Sequence, residues 1–75
     1  MNDKICVSQN IRNYRKNNRL SQKEFGRRIG VTAQAVSKWE RGTAYPDIFI
    51  LPSIAGLLGV SIDELLTVDL QTIRS

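Results

Sequence analysis

Histidine is absent from this chain, and cysteine occurs once, as Cys6. Without His, and with a thiol that has no evident base partner, the usual groups for nucleophilic or general acid–base catalysis are missing. The carboxylates are scattered, so no metal-ligand cluster is visible, and no glycine-rich stretch has the form of a phosphate loop. A lone cysteine cannot close an internal disulfide, which points to a reducing cytoplasm. No apolar run approaches the roughly 20 residues of a membrane span, and no signal peptide is visible. The two prolines and five glycines are too few for a low-complexity segment, and no repeat appears. The expectation is a chain with no catalytic residues, metal, cofactor, membrane segment or evident small-molecule site. Its 75 residues allow one small domain, burying only about 60% of the surface its unfolded chain exposes.

Charge is present, and it is unevenly placed. Up to Arg41 there are ten Lys or Arg against three acids, a balance of +7. From Gly42 onward only Arg74 stands against Asp47, Asp63, Glu64 and Asp69, a balance of −3 that restores the overall +4. A basic face on a small domain is the electrostatic footprint of nucleic-acid binding. By itself it is equally the footprint of a solvated surface, so the residues that carry it decide.

The stretch from Ser21 to Gly42 reads as two short helices joined by a tight turn. Ser21 with Glu24 has the spacing of a capping box, which starts a helix that runs to about Ile29. Gly30 follows, where a helix-ending left-handed residue is needed. Thr32 is a second N-cap, for a helix to about Arg41 that Gly42 ends. Phe25 and Ile29 share one face of the first helix, and Val36 and Trp39 share one face of the second. Val31 plugs the turn, and Gly26 falls where the two helices cross closely. Two helices joined in this way form a helix-turn-helix unit.

Around this centre the chain reads as follows. Residues 1–6 are a flexible N-terminus. Ser8 caps a first helix of about Gln9 to Asn17, with Val7, Ile11 and Tyr14 as its stripe and Asn17–Asn18 as its left-handed stop. Leu20 packs the link. Pro46 and Asp47 are turn residues in the loop after Gly42. A fourth helix is expected over about Ile50 to Leu58, with Pro52 tolerated in its first turn and Leu51, Ile54 and Leu58 facing inward. Ser61 with Glu64 opens a fifth helix, about Ile62 to Thr67, closed onto the core by Val60, Leu65 and Leu66. Tyr45 can either reach a nucleic-acid backbone from its loop or cover the core, with core cover slightly preferred. The fold class is therefore all-α, a compact domain over residues 7–67 followed by a tail over residues 68–75.

The stretch resembles the helix-turn-helix of the lambda-repressor-like (Cro/cI, XRE) DNA-binding proteins. Gln22, small Gly26, turn Gly30, Val31, Val36 and Trp39 stand at that family's spacing, and the flanking helices match over roughly residues 7–67. The resemblance implies a compact five-helix fold whose third helix enters the major groove of double-stranded DNA. Its outward positions, Ala33, Gln34, Ser37 and Lys38, fall on the family's base-contacting positions. Gln34 can pair with adenine or donate to guanine, Lys38 can donate to guanine O6 and N7, Ala33 offers a methyl group to thymine, and Ser37 is permissive. Many members carry a polar residue, often Gln, where this chain has Ala33, so any pairing of that side chain with Gln22 is lost here. Phosphate contacts are expected from Gln22, Lys23, Arg12, Arg15, Arg41 and Thr43, with Ser8 and Gln9 as further candidates. The family also implies an ion pair between Arg15 and Glu40 that ties the first helix to the third.

The expected function is sequence-specific operator binding by a bacterial or phage transcriptional regulator, a repressor acting by occupancy, as a homodimer on DNA in the cytoplasm. Dimer contacts of the family point to Ile62, Leu65 and the tail, residues that serve equally well as core. Two rivals use the same fold. One is an antitoxin or protein-interaction module in which DNA binding is secondary. The other is a non-specific nucleoid binder, which would lack sequence preference.

Overall fold

The structure, a computed structural model, describes residues 5–70. Five helices follow one another: α1 (Val7–Asn17), α2 (Gln22–Ile29), α3 (Ala33–Arg41), α4 (Leu51–Leu58) and α5 (Ile62–Thr67). Among the described residues there is no strand. This is the all-α, five-helix architecture expected from the periodicity. Of the N-terminus expected to be flexible over residues 1–6, residues 1–4 lie outside the described residues, as does the end of the tail, 71–75; Cys6 is buried and hydrogen-bonded rather than loose.

The core is built from one or two apolar side chains per helix. Val7, Ile11, Phe25, Val36, Trp39, Ile54, Ala55 and Leu65 are buried together. Tyr14 meets Phe25 edge to face, with ring centroids 6.3 Å apart, the arrangement the ring quadrupoles favour. Leu20, Val31, Leu51 and Leu58 pack partly buried against this cluster.

Local chemistry sets most helix starts. Ser21, Thr32 and Ser61 each accept, through the side-chain oxygen, the backbone N–H three residues on. Only at Ser61 is the box reciprocal, with Glu64 accepting from the Ser61 N–H at 2.9 Å. Glu24 instead lies 3.8 Å from both Arg27 and Arg28 on its own helix, so the first expected box is half made.

Three expectations are corrected. Helix α1 begins at Val7 with Cys6 as its N-cap, not at Ser8, because the Cys6 carbonyl already accepts from Asn10 and the Cys6 N–H donates to Leu66 O. The left-handed residue after α1 is Arg19 at φ 56°; Asn18 stays at φ −102° and uses its side chain to donate to Tyr14 O. Tyr45 does not cover the core: it is 59% exposed.

Candidate functional site

The turn between α2 and α3 is set by backbone contacts. Gly30 adopts φ +84°, and Val31 N–H donates to Gly26 O at 2.8 Å. A Cβ placed on Gly26 would lie 2.5 Å from Val31 O, so α2 rests directly on the backbone of the turn. That turn delivers Thr32 to cap α3, and burial of Val36 and Trp39 fixes the rotation of α3 about its axis. On the remaining faces Gln34 and Lys38 are exposed, while Ala33 and Ser37 are half-buried. Gln34 and Lys38 are four apart, so they stand one above the other on one stripe.

One end of α3 is tied to two other helices. Arg15 of α1 donates from Nε to Glu40 Oε2 at 2.7 Å and from Nη2 to Glu40 Oε1 at 3.0 Å. Its Nη1 donates to Leu20 O at 2.9 Å. Gln22, the first residue of α2, donates from Nε2 to Glu40 Oε1 at 3.2 Å. The pair is largely shielded, with the side chains 15% and 6% exposed. The hydrogen bond to Glu40 raises the Arg15 guanidinium above its ordinary pKa, outweighing the desolvation that lowers it. A two-pronged guanidinium–carboxylate contact of this kind is directional as well as strong.

Beside this pair lies an open cleft of about 310 Å³ lined by Arg12, Arg15, Lys16, Gln22, Ser37, Glu40 and Arg41. Four cationic side chains face one carboxylate, and that carboxylate is engaged by Arg15 and Gln22. The cleft therefore presents positive charge and hydrogen-bond donors, a surface suited to an anion. Gln22 also brings the start of α2, where backbone N–H groups lack intrahelical partners.

The structure thus brings Gln22, Arg12, Arg15 and Arg41 together at one end of the α3 face. It leaves Lys23 and Thr43 exposed outside the cleft. Thr43 Oγ1 donates to Lys38 O at 3.3 Å, closing the end of α3. Ser8 and Gln9 are half-buried and also lie outside the cleft. Among the described residues, no group of three His, Cys, Asp or Glu side chains stands close enough to hold a metal. No described helix is long and apolar enough to cross a membrane.

Two polar residues have roles that local reading does not reveal. Gln22 finds a partner in Glu40, where the expectation was a phosphate contact, with any pairing to the side chain at position 33 lost. Asn10 is 2% exposed and fastens the segment after α5 to α1. It donates to Leu65 O at 2.8 Å and Val68 O at 2.7 Å, and accepts from Leu70 N–H at 3.1 Å. Its signal in the sequence is a polar side chain on the Val7–Ile11–Tyr14 stripe, where an unsatisfied amide would be costly.

Comparison with known proteins places this geometry among relatives. Residues 11–65 match the family model described as Helix-turn-helix. The crystal structure of the P22 c2 repressor protein in complex with synthetic operator 9T is 33% identical, with a TM-score of 0.77 over 84% of this chain and 96% of that one. The uncharacterized HTH-type transcriptional regulator YqaE of Bacillus subtilis (strain 168) is 36% identical over 59 residues, 79% of this chain and 51% of the relative. The HTH-type transcriptional activator BcrR of Enterococcus faecalis is 33% identical over 60 residues, 80% of this chain and 29% of the relative. The matched part thus spans about half or less of these two curated relatives.

Proposed function

The chain belongs to the lambda-repressor-like helix-turn-helix family, and on that premise we propose that it is the double-stranded DNA-binding domain of a transcriptional regulator. The observation that carries this reading is the junction at Glu40. It holds the exposed Gln34–Lys38 stripe of α3 beside a cationic cleft built from α1, α2 and α3. In such a domain α3 lies in the major groove. Gln34 reads adenine or guanine, Lys38 donates to guanine, Ala33 packs on a thymine methyl group, and Ser37 tolerates either partner.

The cleft takes backbone phosphate. Gln22 contributes its amide and the α2 N–H groups, and Arg12 and Arg41 contribute charge. The N–H groups of Arg15 not used on Glu40 and Leu20 complete the set. Lys23 and Thr43 are outlying phosphate contacts. These contacts set register, and the α3 side chains set sequence. Two copies on half-sites about 10 bp apart would occupy an operator and exclude polymerase. The repressor sense rests on the operator-bound P22 c2 repressor. A bound site that raises transcription would give the opposite sense, the one in the name of BcrR.

Selection from a random duplex library tests the reading. The wild type should enrich one site, and Gln34→Ala and Lys38→Ala should each relax preference at one base position. The expected loss is about 1–3 kcal/mol of discrimination per contact. A library that enriches nothing would overturn the proposal. Unchanged preference in both variants would remove α3 from the readout.

A further inference from the structure

Arg19 is the one residue other than glycine, among the described residues, that takes a left-handed backbone, at φ 56°. It does so as the turning residue of the motif that ends α1. Arg19 N–H donates to Lys16 O at 3.1 Å and Leu20 N–H donates to Arg15 O at 2.9 Å, the paired bonds of a Schellman ending. Glycine is the usual occupant of that position and asparagine the next, because a Cβ there crowds the following carbonyl. This chain carries two asparagines immediately before the turn, Asn17 and Asn18, and an arginine in it. The conformation is therefore held at a cost that a different side chain would lower.

The turn gives this side chain a fixed place. Leu20 packs against the core, and Arg19 beside it is exposed. Arg15 grips the turn twice: its carbonyl accepts from Leu20 N–H, and its Nη1 donates to Leu20 O at 2.9 Å. Arg15, Lys16 and Gln22, which flank the turn in sequence, all line the cationic cleft. The base of the Arg19 side chain is thus fixed beside that cleft by the same arginine that anchors Glu40. Among the described residues Arg19 has no carboxylate within ion-pair distance, whereas Arg15 holds Glu40, and Arg27 and Arg28 share Glu24. Its guanidinium fork is open to an anion, and phosphate is a group that such a fork fits. A cation needed only for solubility would serve as well on any exposed helical position, without strain.

We propose that Arg19 extends the cleft outward and contacts a backbone phosphate of the bound duplex, and that its strained conformation is retained for that contact. The contact rests on the DNA-binding reading.

The test uses the full chain. Arg19→Asn removes the charge and suits the left-handed turn, while Arg19→Lys keeps both the charge and the strain. Each is compared with the wild type and with Arg27→Asn, which loses the same charge from an exposed position outside the cleft. Arg19→Asn should melt at or above the wild type and bind duplex more weakly whatever its sequence. That deficit should itself depend on salt. One lost phosphate contact lowers the slope of log affinity against log salt by about 0.9, so the deficit should shrink about 3.5-fold between roughly 50 and 200 mM salt. Arg19→Lys and Arg27→Asn should keep the wild-type slope. Wild-type affinity and slope in Arg19→Asn would overturn the proposal and leave the DNA-binding reading standing. An equal change in Arg27→Asn would do the same, by tracing the loss to net charge, as would an equal loss in Arg19→Lys. Melting of Arg19→Asn below the wild type also overturns it, since the arginine would then be supporting the fold. A wild type that binds no duplex at any salt concentration overturns the DNA-binding reading and this contact together.

Discussion

Gly26 lies in α2 at a point where a side chain has no room. The nearest obstacle is the Val31 carbonyl, a backbone atom held by the turn, and Thr32 O stands 3.2 Å from the same position. Gly56, inside α4, has nothing within 4 Å of an added Cβ. One substitution therefore has opposite consequences at the two sites. Gly26→Ala forces the turn off α2 and should cost about 1–3 kcal/mol, while Gly56→Ala gains helix propensity and should stabilise by about 0.5–1 kcal/mol. Thermal melting reads both, at about 4–8 °C per kcal/mol for a domain of this size. A Gly26→Ala variant that melts with the wild type would mean that the turn yields. The sequence signals a tight approach at Gly26, since a small residue precedes a turn glycine by four. It does not reveal what approaches: the obstacle is the backbone of the turn rather than a facing side chain of α3.

At the scale of the helices, what is local is legible. The Ser21, Thr32 and Ser61 caps were readable because a hydroxyl and the N–H it satisfies are three residues apart, whatever the rest of the chain does. The start of α1 was not, because the Cys6–Leu66 hydrogen bond that fixes it joins opposite ends of the domain. The end of α1 turns on Arg19, a residue that takes the left-handed region at some cost; nothing in its type announces this, whereas Asn17 and Asn18 did so misleadingly. The Arg15–Glu40 pair was expected through family likeness, and Gln22 joined it unforeseen. These three residues link α1, α2 and α3, so Glu40→Ala acts on the arrangement of helices. It strands a shielded guanidinium, at a cost on the order of 3 kcal/mol, and releases Gln22 from the cleft. Denaturant unfolding should show the loss, and affinity for the selected duplex should fall with it. A variant with unchanged unfolding and unchanged affinity would show that the junction positions nothing.

Over the whole molecule, the uneven charge has a spatial counterpart. Basic side chains from the later part of α1 and from the end of α3 meet in one cleft, while the stretch after Gly42 supplies the exposed apolar loop and most of the acids. The counting was available from the sequence. Which cations converge was not, since Arg12 and Arg41 are 29 positions apart and only the packing of α1 on α3 brings them together. Convergence distinguishes a phosphate socket from a diffuse positive field, and salt dependence can tell them apart. Each neutralised phosphate contributes about 0.9 to the slope of log affinity against log salt. Arg41→Ala removes a cation that lines the cleft and should reduce the slope by about one. Arg27→Ala removes another exposed cation, one that lies outside the cleft, 3.8 Å from Glu24 on its own helix, and should leave the slope where it is. Both variants lose the same formal charge, so equal reductions would mean that the chain holds DNA through its overall field, and the cleft would have no special part in binding.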